Sequence, residues 1–157
     1  MTHVKEILKL SQKIGWRIST AESCTGGNLS VSITKIPGAS KVFNGSIVSY
    51  SKYSKEKIIG IEKHEIDAFS TVSKEIAIKM AKKVKEKFNS DYSIAVTGNA
   101  GPGTDGPGSF VGDCFIAVSS KSEIFCEKYN FVSSREDFIK IVTDNSFKLF
   151  IDKIINQ

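Results

Sequence analysis

The chain has 157 residues, with 22 Lys or Arg, 17 Asp or Glu and a formal net charge of +5, and its composition is that of an ordinary globular protein. This length suits one domain with a substantial core, so we expect residues 1–157 to form a single domain. No apolar run approaches the roughly 20 residues of a membrane span, and the amphipathic N-terminus lacks the apolar core of a signal peptide, which predicts a cytoplasmic location and no membrane partner.

In the first half of the chain, apolar periodicity and turn residues predict helices and strands that alternate. The predicted elements are a helix over 3–14, a strand over 17–21, a helix over 26–36, a strand over 41–50 that bends at Gly45, and short helices over 51–59 and 62–69. A strand thus follows each of the first two helices.

The second half contains the clearest helix, over 74–88, and three runs typical of strands. Residues 92–98 and 113–120 read as buried strands, and 124–131 as a third strand beside them. A last helix over 135–155 begins after Ser133 or Ser134, each of which precedes an acid by three residues. Such interleaving predicts an α/β fold, a three-layer α/β/α sandwich whose mixed, mostly parallel sheet is covered by helices on both faces.

Neither a metal site nor a nucleic-acid interface is expected from the residue types. Cys24, Cys114 and Cys126 form no C-x-x-C pair, and together with His3 and His64 they give no metal-ligand spacing. The lysines are spread along helical patterns rather than gathered with aromatic residues, which favours solvated helix faces over nucleic-acid binding.

The run TAESCTGG, residues 20–27, is the first candidate functional segment. Ser23 follows a predicted strand and precedes a glycine-led helix, so its hydroxyl could point into a pocket beside helix N–H groups that suit an oxyanion. The alternative is that Ser23 or Thr25 merely caps the helix, which spacing alone favours. Cys24 is a rival nucleophile, although a cysteine in such a place is more often buried.

A serine nucleophile needs a base, and no histidine is recognisably placed to act as one. The segment SYSKYSKEK, residues 49–57, offers lysines instead. Near the start of a helix, the macrodipole and burial would both lower the pKa of a lysine. Lys52 and Lys55 could share one face of that helix, so spacing leaves two candidates, and exposed lysines at a helix end remain the simpler reading.

The segment from 98 to 112 is unusually rich in glycine and proline, with six of the twelve glycines and two of the three prolines. Such a loop at the end of a strand exposes backbone N–H groups that can hold an anion. It matches neither the Walker A pattern nor G-x-G-x-x-G, so ligand binding and a long surface turn are both open.

Six runs occur in one order and spacing along the chain: TAESCTGG, IPGAS followed by VF, VSYSKYSK, VS at 72–73, VTGNAGPG and VGDCFIAV. Together they resemble the C-terminal domain of the competence/damage-inducible CinA family over roughly residues 5–155. The resemblance implies hydrolysis of nicotinamide mononucleotide to nicotinic acid mononucleotide and ammonia, with no metal or organic cofactor.

The resemblance also implies residue roles. Ser23 corresponds to the nucleophile and Lys55 to the base, while Tyr50 would orient the lysine or relay its proton. Backbone N–H groups near Cys24 to Gly27 would hold the oxyanion. The residues implied to bind the small-molecule nucleotide are Cys24, Thr25, Gly26, Gly27, Thr97, Gly98, Ala100, Gly101 and Arg135, the last of which would meet the phosphate. We expect the chain to form a homo-oligomer.

The chain departs from the family pattern in the candidate ligand loop. Asn99 stands where relatives carry Ile, Ser109-Phe110 where they carry Lys-Pro, and Ser133-Ser134 where they carry Gly-Asp. These departures concern substrate affinity and identity more than reaction type. Two alternatives therefore stay open: a non-catalytic nucleotide-binding module, and a serine amidase that acts on another substrate.

Overall fold

The computed structural model describes residues 2–156. In chain order its elements are α1 Thr2–Ile14, β1 Ile18–Glu22, α2 Asn28–Thr34, a short 3-10 turn Ala39–Lys41, β2 Phe43–Val48, α3 Lys52–Ser54 continued by a π-helical turn Lys55–Ile59, α4 Lys63–Phe69, α5 Lys74–Lys87, β3 Tyr92–Gly98, β4 Asp113–Ser119, β5 Ile124–Asn130, and α6 Arg135–Phe150 continued by a π-helical turn Ile151–Ile155. None of the helices within 2–156 is both long and apolar enough to cross a membrane.

The strands of the described chain form a five-stranded sheet in the order β2-β1-β3-β4-β5. β1 is parallel to β2 and β3, whereas β4 is antiparallel to both β3 and β5. Four of the five strands therefore point the same way, and the predicted mixed, mostly parallel sheet is confirmed. β4 is reversed because no helix lies between β3 and β4, or between β4 and β5, to carry the chain back across the sheet.

Helices cover both faces of the sheet, as predicted. On one face, Ile94 and Val96 of β3 pack with residues of α1, α2 and α6 in one apolar cluster. On the opposite face, Ala95 of β3 packs in a second cluster with Met80 and Val84 of α5. The alternation of Ile94, Ala95 and Val96 along β3 follows the two-residue period of a strand, so each face receives its own side chains.

The second helix begins later than predicted, and the reason affects the candidate site. Gly26 and Gly27 have φ of 58° and 105°, in the left-handed region that glycine adopts without steric strain. They form a tight turn between β1 and α2, so the helix starts at Asn28 rather than at residue 26. The last helix is capped by Ser134, whose side chain accepts a hydrogen bond from the N–H of Asp137, rather than by Ser133.

Candidate active site

Three segments of the candidate site converge because three parallel strands end at one edge of the sheet. Ser23 follows β1, Ser49 follows β2, and the glycine-rich loop follows β3. The carboxyl ends of parallel neighbours lie together, which is where open α/β sheets place ligands. Segments that lie far apart in the sequence therefore meet in one place.

Ser23 and Lys55 are in direct contact. The Nζ atom of Lys55 lies 2.8 Å from Ser23 Oγ and 2.7 Å from the carbonyl oxygen of Ser49, to which it donates. The lysine is only 1% exposed and Ser23 only 7%. Shortly before Lys55 in the chain, Ser51 caps α3 through a reciprocal hydrogen-bond pair with Ser54. This cap fixes the start of the helical segment that carries Lys55.

Burial lowers the pKa of Lys55 from 10.5 to about 8. The Cys24 thiolate, where it is ionised, and the carboxylate of Asp105 oppose this change, and both effects are smaller than the desolvation of the ammonium group. With such a pKa, about one lysine in ten is neutral at pH 7 and about half are neutral at pH 8. A neutral amine that keeps its hydrogen bond to Ser49 can turn its lone pair toward the Ser23 hydroxyl.

The neighbouring lysines have the opposite environment. Lys52 is exposed and forms an ion pair with Asp67, which raises the pKa of Lys52. Lys57 is exposed and paired with Glu56 at 2.8 Å, which raises its pKa as well. Of the two lysines that spacing left as candidates, the fold therefore brings Lys55 to the serine and turns Lys52 away.

Glu22 is a residue of this site to which sequence reasoning gave no role. It is fully buried, and its carboxylate accepts hydrogen bonds from the N–H groups of Gly27 at 3.0 Å, Leu29 at 3.0 Å and Ser30 at 2.9 Å. It also accepts from the hydroxyls of Thr25 at 2.8 Å and Ser30 at 2.7 Å. A carboxylate at the N-terminus of α2 satisfies N–H groups that the helix itself leaves free. The acid directly before the serine was the available signal.

These bonds change the role expected for part of the TAESCTGG run. Gly26 donates its N–H to Ser23 O at 3.0 Å, and Gly27 donates to Glu22, so neither is available for an oxyanion or a ligand. The Thr25 side chain is fully buried on Glu22. The side chain of Thr25 and the two glycines thus build the turn that presents Ser23. Of the four expected N–H donors at residues 24–27, these bonds occupy those of Gly26 and Gly27, which reduces the expected set to the N–H groups of Cys24 and Thr25.

Cys24 lines the pocket beside Ser23, but its thiol is a poor nucleophile. The side chain is 5% exposed, and burial raises the pKa of the thiol to about 12. The thiolate, which is the reactive form, is therefore scarce near neutral pH. This environment agrees with a packed cysteine rather than a second catalytic centre.

A polar pocket of about 370 Å³ opens onto Ser23, the more exposed member of the Ser23–Lys55 dyad, while Lys55 lies behind the serine and does not line the pocket. That volume falls in the range of sites that enclose small ligands. Its lining includes Ser23, Cys24, Tyr50, Thr71 and Arg135, together with the start of the glycine-rich loop from 98 to 105.

Arg135 and Tyr50 lie together in the wall of this pocket. Arg135 is the first residue of α6; its Nη1 donates to Gly101 O at 2.5 Å, and its Nη2 donates to the Tyr50 hydroxyl. Tyr50 is 58% exposed, and its hydroxyl binds the arginine rather than the lysine. The carbonyl of Ser49, and not Tyr50, therefore holds the Lys55 amine in place.

The loop residues expected to bind the nucleotide fall into two groups. Thr97 is 1% exposed and donates its hydroxyl to Thr71 O at 2.7 Å, so it holds the segment at residue 71 instead of facing the pocket. Gly98, Ala100 and Gly101 do line the pocket. A side chain at Gly98 would meet Cys114 Cβ at 2.7 Å, and one at Gly101 would meet Val111 at 2.8 Å, which explains the small residues there. Within 2–156, no group of His, Cys, Asp and Glu is placed to hold a metal ion.

Comparison with known proteins gives one consistent family. The family model described as the CinA C-terminal domain matches residues 1–154. A CinA-like protein of Flavobacterium psychrophilum is 41% identical over 140 residues, which cover 89% of this chain and 34% of that protein. A putative competence-damage inducible protein of Caldanaerobacter subterraneus is 41% identical over 130 residues, covering 83% of this chain and 32% of its own length. The chain thus spans about a third of the length of these curated relatives.

Solved structures with a similar fold carry the same kind of name. A CinA superfamily protein from Enterobacter cloacae superposes with a TM-score of 0.92 at 26% identity, over 96% of this chain and 89% of that chain. The competence damage-inducible protein A from Klebsiella pneumoniae gives a TM-score of 0.94 at 23% identity, over 98% of this chain and 96% of that one, and at that identity the likeness concerns the fold alone.

Proposed function

Because the chain belongs to the CinA C-terminal domain family, we propose that it is an amidohydrolase that converts nicotinamide mononucleotide into nicotinic acid mononucleotide and ammonia. The observation that carries the proposal is the buried contact of 2.8 Å between Lys55 Nζ and Ser23 Oγ, in which the pKa of the lysine is lowered to about 8. A buried amine of low pKa next to a hydroxyl is the arrangement that activates a serine without histidine.

In the first half of the reaction, neutral Lys55 accepts the proton of Ser23 while the serine oxygen attacks the carboxamide carbon. The N–H groups of Cys24 and Thr25 stabilise the negative charge that develops on the carboxamide oxygen. The lysine ammonium then gives its proton to the departing nitrogen, so ammonia leaves and a nicotinoyl ester of Ser23 remains. Throughout, the carbonyl of Ser49 keeps the amine aimed at the serine.

In the second half, water replaces the Ser23 oxygen as the nucleophile. Lys55, neutral again after ammonia has left, takes a proton from the water that attacks the ester carbonyl. The same ammonium returns the proton to Ser23 Oγ, which releases the carboxylic acid and restores the dyad. The reaction consumes only the amide substrate and water, and each proton that Lys55 accepts is passed on to ammonia or to Ser23.

In the wall of the same pocket, Arg135 is suited to the phosphate of the substrate. A guanidinium carries five N–H donors in a planar fork, and two of its nitrogen atoms already bind Gly101 and Tyr50. These contacts fix the direction of the fork, and the remaining donors are available to phosphate oxygens.

The proposal is tested by following ammonia and the acid product when purified protein is mixed with nicotinamide mononucleotide. Wild type is expected to turn over, whereas Ser23→Ala, Lys55→Ala and Lys55→Arg are expected to lose at least about a thousandfold in kcat, since arginine cannot release its proton. Lys52→Ala is the matched control and should keep near-wild-type rates. Its side chain lies outside the dyad and pairs with Asp67.

The same assay separates the proposal from its alternatives. Tight binding of the nucleotide without turnover by folded wild type would favour a non-catalytic nucleotide-binding module. Turnover of another primary amide in preference to the nucleotide would favour a serine amidase of different specificity. An active Lys55→Arg variant would refute the dyad mechanism, because that residue would then supply only charge.

A further inference from the structure

We propose that Asp105 is a substrate-recognition residue whose carboxylate accepts hydrogen bonds from the ribose hydroxyls of the nucleotide. This inference rests on the proposed function and adds a sugar-recognition contact to it. It comes from a carboxylate that the fold fixes at the pocket through one of its two oxygens.

Asp105 belongs to the lining of the active-site pocket and also to that of a neighbouring polar pocket, which it shares with Thr71, Lys52 and Asp67. Its Oδ2 atom accepts a hydrogen bond from the N–H of Thr71 at 2.9 Å and another from the Thr71 hydroxyl. Its Oδ1 atom has no hydrogen-bond partner among residues 2–156. One oxygen is thus anchored while the other is free to accept donors from a ligand.

Buried side chains at the end of β3 hold both Asp105 and its partner Thr71 in place. Asn99 is 5% exposed; its Oδ1 accepts from the N–H of Asp105 at 3.0 Å, and its Nδ2 donates to Phe110 O at 3.2 Å and to the Ser109 hydroxyl. Thr97 donates to the carbonyl of Thr71 at 2.7 Å. These hydrogen bonds connect both sides of the loop that carries Asp105. They therefore fix the position of its carboxylate.

The charged side chains around the pocket indicate where the phosphate and the ribose of the substrate bind. Arg135 supplies the positive charge that suits a phosphate, whereas the carboxylate of Asp105 repels a phosphate and attracts hydroxyl donors. A ribose carries two adjacent hydroxyl donors and no negative charge, and an acidic side chain on a ribose hydroxyl is a recurrent mode of nucleotide recognition. Asp105 also lines the same pocket as Ser23.

The experiment compares binding of nicotinamide mononucleotide with binding of its 2′-deoxy and 3′-deoxy forms, by calorimetry on a Ser23→Ala background that cannot turn over. We expect at least one deoxy form to bind about tenfold to a hundredfold more weakly than the ribonucleotide, as for loss of a hydrogen bond to a charged group. Asp105→Asn on the same background should reduce that ratio to within about twofold, because the amide can still accept from Thr71 but no longer offers a charged oxygen to the sugar.

Asp67→Asn is the matched control, since Asp67 is a nearby exposed carboxylate that pairs with Lys52 and does not line the active-site pocket. It should leave the ribose preference unchanged. The inference is overturned if the ribonucleotide and both deoxy forms bind equally, or if the preference persists in Asp105→Asn. Circular dichroism of each variant verifies that the loop substitution leaves the fold intact.

Turnover by wild type is measured in parallel and separates the two proposals. If wild type turns over the nucleotide but the preference for the ribonucleotide over its deoxy forms does not depend on Asp105, only the inference is overturned. Binding with that preference but no turnover by wild type overturns the proposed activity alone. If the ribonucleotide neither binds nor reacts, both fall.

Discussion

Replacing Lys55 by Met should change how the stability of the protein depends on pH. The lysine is 1% exposed, and burial lowers its pKa from 10.5 to about 8. A change of that size corresponds to about 3 kcal/mol of free energy, at roughly 1.4 kcal/mol for each pKa unit. Below about pH 8 the folded protein carries this whole penalty, because the charged ammonium is present in both the folded and the unfolded state.

The direction in which the free energy of unfolding changes with pH follows from the number of protons that each state binds. Between about pH 8 and about pH 10.5 the unfolded chain still holds the lysine proton whereas the folded protein has released it, so the free energy of unfolding rises with pH. Relative to Lys55→Met, the free energy of unfolding of wild type should increase by about 3 kcal/mol between pH 7 and pH 10.5, most steeply above pH 8. Methionine has a similar length and no charge. Loss of the hydrogen bond to Ser49 O shifts its stability by an amount that does not depend on pH.

Urea unfolding, followed by the fluorescence of Trp16, measures this difference at a series of pH values for wild type and Lys55→Met. Other groups that titrate in the same range are common to both proteins and cancel in the difference. Ser23→Ala is the matched control, since it keeps the buried lysine and should follow the wild-type slope. A difference between wild type and Lys55→Met that stays constant with pH would refute the depressed pKa, and with it the physical basis for Lys55 as a base.

Further predictions concern the rest of the site. The kcat/KM of wild type should rise with pH through about 8, the pKa of Lys55, and level off above it; a rate independent of pH in that range would contradict a lysine base. Arg135→Ala should raise KM about tenfold or more with a smaller fall in kcat, as measured by steady-state kinetics, because its contacts with phosphate form in the ground state; the reverse pattern would make it part of the chemical step. Cys24→Ala should keep most of the ammonia release that Ser23→Ala abolishes, since its thiol is buried with a pKa of about 12; equal losses would reassign the nucleophile. Glu22→Gln should lower the free energy of unfolding in urea by at least about 2 kcal/mol, because an amide cannot accept every N–H bond that the carboxylate accepts; an unchanged midpoint would show that the turn tolerates the loss.

Local patterns in the sequence were sufficient for most of the fold. The strand predicted over 92–98 is β3, Tyr92–Gly98, and the helix predicted over 74–88 is α5, Lys74–Lys87. The helix follows from the period of its apolar residues, whereas β3 follows from a continuous apolar and β-branched run, because its side chains are buried on both faces of the sheet. The capping pattern also gave the start of α6, although two adjacent serines satisfied it equally and only backbone geometry selected Ser134.

Contacts between distant segments were beyond the reach of sequence patterns. The spacing of Lys52 and Lys55 allowed either to be the base, and the outcome depended on β2 lying beside β1, which brings residue 55 to a serine 32 positions away. Asn99 and Ser109 appeared as separate departures from the family pattern, yet the structure joins them in one hydrogen bond.

Glu22 shows the same division between sequence and structure. Its place in the TAESCTGG run was visible, but its role depends on five close hydrogen bonds that form only when the turn at Gly26 and Gly27 folds α2 back over the end of β1. The sequence thus determined the elements and the residue types that carry the chemistry. The tertiary structure decided which of those residues meet, because burial and hydrogen-bond partners depend on the order of strands in the sheet and not on separation along the chain.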